Sequence, residues 1–235
     1  QSLLNNTAGT NNTAIGHSSL RSNTNGSFNT SIGQESLYST TTGSNNIAIG
    51  RRSLFSNTAS SNTAVGHESA FSNTTGTGIT AIGYQALRSN TTGANNTALG
   101  NGALSNAATS SDNTAIGFNS LALSTSALRN SAIGSNSMSN VSGGSTNVAI
   151  GWNSSLNLST GSNNVSIGAQ SLSGNSTGSD NIAIGRNTSI ANFSGSIIIG
   201  KDAISTASNQ FVVGSAGTNA GAVVPSGPGS ATNWW

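Results

Sequence analysis

The chain has no cysteine, two prolines, and only seven Lys or Arg against five Asp or Glu among 235 residues. Without cysteine, disulfides, thiolate metal sites and cysteine nucleophiles are excluded together. No apolar run approaches the roughly 18 residues of a helical membrane span, so no membrane insertion is expected. The sequence opens at Gln1 without the basic and apolar blocks of a secretory signal, as expected of a processed chain or a fragment. The formal net charge is only +2. Its few cations are scattered, whereas a nucleic-acid footprint needs Lys and Arg clustered enough to displace counterions, so no nucleic-acid partner is expected. Aromatic residues make up only 5% of the chain, too few for a conventional core of packed rings.

What fills the chain instead is Gly, Ser, Thr and Asn, which together account for 136 of the 235 residues. Such a bias is usual in flexible linkers. Disorder of that kind goes with high net charge and aperiodic polarity, however, and here the charge is low and aliphatic residues return at fixed intervals. The bias is that of a repeat, and a folded chain is expected.

The repeat is anchored on glycine. Gly16, Gly33, Gly50, Gly66, Gly83, Gly100, Gly117, Gly134, Gly151, Gly168, Gly185, Gly200 and Gly214 are spaced by 17 residues, with one step of 16 and final steps of 15 and 14. An aliphatic residue precedes every anchor, as in Ile15, Ile32, Val65 and Leu99. A second apolar column lies four residues after it, in Leu20, Leu37, Leu54, Leu87, Leu104, Leu121, Met138, Leu172 and Ile204, displaced by one at Leu156 and Ile190. Two residues before the anchor the first eleven coils carry only Ala or Ser. Side chains in Asn-Thr-Ala-Ile-Gly alternate with period two, and Thr, Ile and Val crowd the position three before the anchor, which predicts strand rather than helix. Phrases such as Thr41-Thr42-Gly43-Ser44-Asn45 predict turns. The expected fold is an all-β parallel solenoid of about 13 coils over residues 1–214, with one or two strands of four to five residues per coil, followed by a Gly/Ala/Ser-rich tail at 215–235. At about 4.8 Å per coil the rod is roughly 60 Å long.

Asn stands four residues before the anchor at Asn12, Asn29, Asn46, Asn62, Asn96, Asn113, Asn130, Asn147, Asn164 and Asn181. Stacked in register, their amides predict a hydrogen-bonded ladder; a turn preference of Asn at a strand start accounts for the column equally well. Two or three sizeable side chains per coil make a thin core, which points to self-association, with the small Ala, Ser and Gly columns as the expected contact surface.

The phrase Asn96-Thr97-Ala98-Leu99-Gly100-Asn101-Gly102-Ala103-Leu104 resembles the head repeats of trimeric autotransporter adhesins of the YadA type. The resemblance covers about Leu3 to Gly214 and implies a left-handed parallel β-roll with three chains around one axis. The longer Thr-Thr-Gly-x-Asn-Asn-Thr-Ala-Ile-Gly form, and the closing phrase from Asn209 to Gly221, are similar to fibre and tail proteins of phages and large viruses.

Little in the sequence can do chemistry. His17 and His67 follow their anchors three coils apart, about 14 Å, too far to share a metal ion. Glu35 and Glu68 share a column at about 10 Å, near the separation of an inverting glycosidase pair. Arg52 stands between them, however, and Glu35, Arg52, Glu68 reads as a charge-compensated surface ladder. No Ser has a matched His and acid for a triad, and Asp is too scarce for a repeated calcium motif. No enzymatic activity, metal or cofactor is expected.

Two further columns carry rings. Five residues after the anchor stand Arg21, Tyr38, Phe55, Phe71 and Arg88, which predict a stack of rings with a guanidinium at each end. This strip is read either as packing or as a sugar- or receptor-binding surface. Directly after the anchor the residue type varies most, and there Tyr84, Phe118 and Trp152 are candidate contacts for a host-surface glycan or receptor. Two functions remain in play: a homotrimeric shaft of a virion or phage tail, and a bacterial surface adhesin or extracellular filament that binds glycans through exposed rings. Both place the chain on a virion surface or outside the cell.

Overall fold

The structure is a computed structural model that describes residues 1–214 and the backbone of 224 and 225. The rest of the tail expected at 215–235, with Trp234 and Trp235, lies outside the described residues. The strands are β1 (Thr13–Ile15), β2 (Thr30–Ile32), β3 (Ile47–Ile49), β4 (Thr63–Val65), β5 (Thr80–Ile82), β6 (Thr97–Leu99), β7 (Thr114–Ile116), β8 (Ser131–Ile133), β9 (Val148–Ile150), β10 (Val165–Ile167), β11 (Ile182–Ile184), β12 (Ser189–Ile190), β13 (Ile197–Ile199), β14 (Ile204–Ser205), β15 (Gln210–Val213) and β16 (Val224–Pro225).

These strands build a parallel β-solenoid with the period read from the glycines. Strands β1 to β11, β13 and β15 stack in that order as one parallel sheet, and β16 adds to its end antiparallel to β15. The register matches like with like: Thr13 lies opposite Thr30, Ala14 opposite Ser31 and Ile15 opposite Ile32. The short third step leaves this register intact, with Ile47, Ala48 and Ile49 opposite Thr63, Ala64 and Val65, so the missing residue is absorbed in a turn. Only the shortened last coils form a second sheet, the parallel pair β12 and β14.

The main strands are shorter than the sequence predicts, three residues in each of the first eleven coils. The anchor glycines end them. Gly151 has φ +135°, and a Cβ there would stand 2.6 Å from the carbonyl carbon of Gly168 in the next coil. Only glycine lets the chain bend outward while consecutive backbones stay this close. Beyond the strand the path is turn, yet the inter-coil ladder continues: Leu37 N donates to Ser53 O at 3.0 Å and Ser39 N to Phe55 O at 3.0 Å. The column leucines themselves sit in the left-handed region, Leu20 at φ 50° and Leu37 at φ 47°. That conformation costs about 1–2 kcal/mol per residue, and the ladder on both sides holds it, turning the leucine inward.

The interior inverts part of the expected pattern. Leu20, Leu37, Leu54, Leu87, Leu104, Leu121, Met138 and Leu172 are wholly buried, and the Ala column (Ala48, Ala64, Ala81, Ala98, Ala115, Ala132, Ala149 and Ala183) is buried opposite them. The aliphatic residue before the anchor is not core: Ile15 is 58% exposed and Ile133 40%. Period-two alternation sends the middle residue inward and its neighbours outward: in the first eleven coils a small Ala or Ser faces the leucine column, and in the shortened last two coils Ile198 and Val212 fill the same place. The small-residue column therefore packs inside the chain and is not the contact surface expected from the sequence. Two column assignments also change. In coil nine Ser155 takes the buried position, Leu156 is half-exposed, and Leu158 supplies the buried apolar group. In coil twelve Ile204 is 50% exposed and Ser205 is buried in its place. The apolar core accordingly runs in two stretches, one from Leu20 to Leu158 and one from Leu172 to Val212.

Buried polar columns fill the remaining interior. The Asn column four before the anchor is buried from Asn29 to Asn181, and its amides link coil to coil. Asn113 Nδ2 donates to Asn96 Oδ1 at 3.2 Å and to Ala127 O at 3.0 Å, while its own Oδ1 accepts the backbone N–H of Asn130 at 2.9 Å. Asn12, Asn29, Asn46 and Asn62 are joined in the same way, as are Asn130, Asn147, Asn164 and Asn181. Ile79 interrupts the column in coil five, and its backbone N–H still takes Asn62 Oδ1 at 3.1 Å. A second buried Asn column, not recognised from the sequence, lies seven residues after the anchor: Asn23 Nδ2 donates to Asn6 Oδ1 at 2.7 Å, Asn73 Nδ2 to Asn57 Oδ1 at 2.7 Å and Asn90 Nδ2 to Asn73 Oδ1 at 2.8 Å. It breaks at Thr40 and again from Ala107 to Leu158, and a buried Asn returns at Asn175. Asn23 Oδ1 and Asn90 Oδ1, on the rungs just before those breaks, are buried acceptors that receive no hydrogen bond.

Three substitutions check this account by thermal or urea unfolding. Gly151→Ala destabilises by about 1–3 kcal/mol or more, since backbone strain is joined by a clash with backbone atoms. Asn113→Ala costs on the order of 2–4 kcal/mol, because buried partners are left unpaired. Thr40→Asn, flanked by Asn on both neighbouring rungs, gives Asn23 Oδ1 a donor in exchange for the bond from Thr40 Oγ1 to Asn57 O at 2.7 Å, so stability stays within about 1 kcal/mol of the parent; a larger loss would contradict the ladder.

Candidate interaction surfaces

Alternation along each strand puts two side chains per coil on the outer face of the long sheet. One column is the residue before the anchor: Ile49, Leu99, Ile133, Ile150, Ile167 and Ile184 are each 37–43% exposed. Beside it runs the residue three before the anchor, mostly Thr in the first seven coils, then Ser131, Val148, Val165, Ile182, Ile197 and Phe211. The result is an aliphatic strip along one side of the rod that becomes wholly apolar in both columns from coil nine onward.

On the first five coils the two side-chain ladders read from the sequence are knit into one. Tyr38 and Phe55 stack at 5.0 Å with planes 9° apart, and Phe55 and Phe71 at 5.1 Å and 14°. Arg21 lies over the Tyr38 ring at 5.5 Å and donates to its hydroxyl at 2.7 Å; Arg88 lies over Phe71 at 5.8 Å. Arg52 Nε binds Glu35 at 2.7 Å while its guanidinium sits 5.8 Å from the Phe55 ring. Glu68 pairs with Arg88 at 2.9 Å rather than with Arg52, and Gln85 donates to it at 3.1 Å. Glu68 therefore takes its cation from the aromatic column one coil further on, where Arg88 already leans over Phe71. The hydrogen bond from Arg52 holds the Glu35 carboxyl below the usual carboxylate range, and that from Arg88 does the same for Glu68. Both carboxylates thus serve as acceptors in ion pairs.

The column directly after the anchor stands at the corner where each coil leaves the sheet. Tyr84 is 50% exposed, Phe118 50% and Trp152 52%. His67 stacks on Tyr84 at 5.4 Å, and its Nε2 lies 3.2 Å from Arg51 Nη1. His17 lines a shallow depression of about 260 Å³ with Gln1, Leu4, Ser18 and Arg21, three coils from His67. Among the described residues no group of three His, Cys, Asp or Glu is placed to hold a metal ion, and no helix is long and apolar enough to cross a membrane.

The sequence missed the outward direction of the aliphatic column and the link from Glu68 to Arg88. For the first, the small residue between two larger ones in the first eleven coils is compatible with either direction and does not decide it by itself. The second depends on side-chain reach across a coil and has no signal in the spacing.

Compared with known protein families and with curated proteins, the chain matches none. The class defined by the fold is the parallel β-solenoid repeat protein.

The lowered carboxyl pKa values fix the sign of an acid effect. The folded state binds these two protons less readily than the unfolded chain, so their contribution is present at neutral pH and is lost as pH falls below about 4.3. Thermal midpoints measured from pH 7 to pH 3 fall on acidification. The Glu68→Gln variant shows a shallower fall, by a small amount because the pair lies at the surface.

Proposed function

We propose that this chain is the shaft segment of a homotrimeric fibre, carried on a virion or phage tail, that supports attachment to a host surface. The observation behind this reading is the aliphatic strip on the outer sheet face. Contiguous apolar surface running the length of a rod is a mark of an interaction site. The apolar interior of most coils is little more than one leucine-sized group against one small side chain, too little to stabilise a long rod comfortably, and burial between chains would add what the single coil lacks. A straight, in-register strip is matched by a second copy of itself, since the same spacing repeats on both. Three copies about an axis are what the resemblance of the Asn-Thr-Ala-Ile-Gly-x-x-Ser-Leu phrase to YadA-type heads implies, together with a left-handed coil. The longer repeat favours the fibre proteins of phages and large viruses over an adhesin head. Stiffness suits the role: every coil is bonded to its neighbours through backbone and buried amides, so the rod transmits force and holds its length.

Sedimentation and light scattering test this. The expected species has three times the chain mass, and Ile133→Lys together with Ile167→Lys, on the strip, shifts it to monomer while parallel-β circular dichroism is retained. A monomer at tens of micromolar, or a trimer indifferent to these lysines, would refute the reading.

A further inference from the structure

The corner column offers more than exposure, because its rings are placed at regular intervals. Read upward it runs Arg51, His67, Tyr84, Asn101, Phe118, Ser135 and Trp152. Its register is held by backbone bonds from the following residue of the next coil: Gly102 N to Tyr84 O at 3.0 Å, Asn119 N to Asn101 O at 3.0 Å, Asn136 N to Phe118 O at 2.8 Å and Asn153 N to Ser135 O at 3.0 Å. The column is therefore straight and rigid from Tyr84 to Trp152.

Where rings occupy consecutive rungs of this column they stack face to face along the rod, as His67 and Tyr84 do at 5.4 Å and 10°. Above Tyr84 they occupy every second rung instead, with the small residues Asn101 and Ser135 between. At about 4.8 Å per rung, two rungs leave a gap of about 9.6 Å, which is the space of one further ring in van der Waals contact on both faces. We infer that the gaps between Tyr84, Phe118 and Trp152 are two binding slots for neutral pyranose rings, each inserted edge-on from solvent.

The chemistry of the slots selects this ligand. Their walls are apolar faces, which suit the C–H face of a sugar. Their floors carry an amide at Asn101 and a hydroxyl at Ser135, and the partly exposed amides of Asn119 and Asn136 follow Phe118 and Ser135 in the chain, so donors and acceptors for sugar hydroxyls stand beside the walls. No charged residue occurs in the corner column or the one after it from Tyr84 to Gln170, which disfavours nucleotides and acidic sugars. A ring entering with its faces along the rod cannot belong to a linear chain lying on that rod, so the ligand is a terminal or branch sugar. Two slots per chain also favour a surface on which such ends are densely repeated, since each further engagement is then intramolecular. This inference does not depend on the place of the rod in a virion.

The intact chain is applied to a printed array of oligosaccharides ending in neutral hexoses or N-acetylhexosamines, with sialylated glycans and single-stranded oligonucleotides alongside, and the strongest neutral probe is titrated by NMR. Binding to neutral-terminated glycans is expected. Phe118→Ala, which removes a wall shared by both slots, weakens it by roughly tenfold. Asn101→Phe with Ser135→Phe fills the slots with continuous ring stacking, abolishing binding while the thermal midpoint stays level or rises. No neutral glycan bound, preference for oligonucleotides or sialylated glycans, or binding retained after the slots are filled would each overturn the inference. The sedimentation result is independent of all three.

Discussion

Stacking of each residue on its own equivalent in the next coil is the constraint from which the rest of this structure follows. The backbone bond from Thr97 N to Asn113 O at 2.8 Å, and its counterpart from Thr114 N to Asn130 O at 2.8 Å, can form together only if successive coils trace the same path. Identical paths require glycine wherever two backbones approach too closely for a Cβ, and left-handed residues at the same bends in every coil. They also place like side chains over one another, which turns any bondable side chain into a ladder. Asn is suited to this because its amide donates and accepts along the stacking direction at once. Where a column changes residue type, the cost is visible in the orphaned oxygens of Asn23 and Asn90.

The same constraint explains a chain that wears aliphatic groups outside and buries asparagine and serine. A coil of 17 residues with a three-residue strand encloses little volume. Buried amides and hydroxyls are tolerated there because the ladders satisfy almost all of them, while the aliphatic residue before each anchor lies on the far side of the strand and turns outward. Stability thus comes from coupling between coils more than from the contents of any one coil. In the proposed trimer, the outward aliphatic strip would be half of an interface between chains.

Corner positions escape these demands. The residue after each anchor touches neither the interior nor the sheet face, so it varies while its backbone remains fixed. A rigid scaffold with freely chosen side chains at a set spacing is suited to recognition, since binding groups are held in place before a ligand arrives. The aromatic strip of the first coils uses its rungs differently: rings on consecutive coils satisfy one another, and Arg21, Arg52 and Arg88 close the stack, so that surface is already occupied by its own contacts.

Period, strand type, coil number and the existence of an Asn ladder were legible in the sequence, because in a solenoid the third dimension repeats the first: residues 17 apart are neighbours. The glycine anchors and the alternation in Thr97-Ala98-Leu99 carried that information directly. Which way the alternation pointed was not decided by the pattern itself, since Ala inward with Leu outward, or the reverse, are both consistent with period two. The width of the coil chose, and that width is set by how the turn after Leu104 folds back on the sheet. Likewise the choice of Arg88 over Arg52 as the partner of Glu68 rests on side-chain reach between coils, which spacing along the chain does not encode.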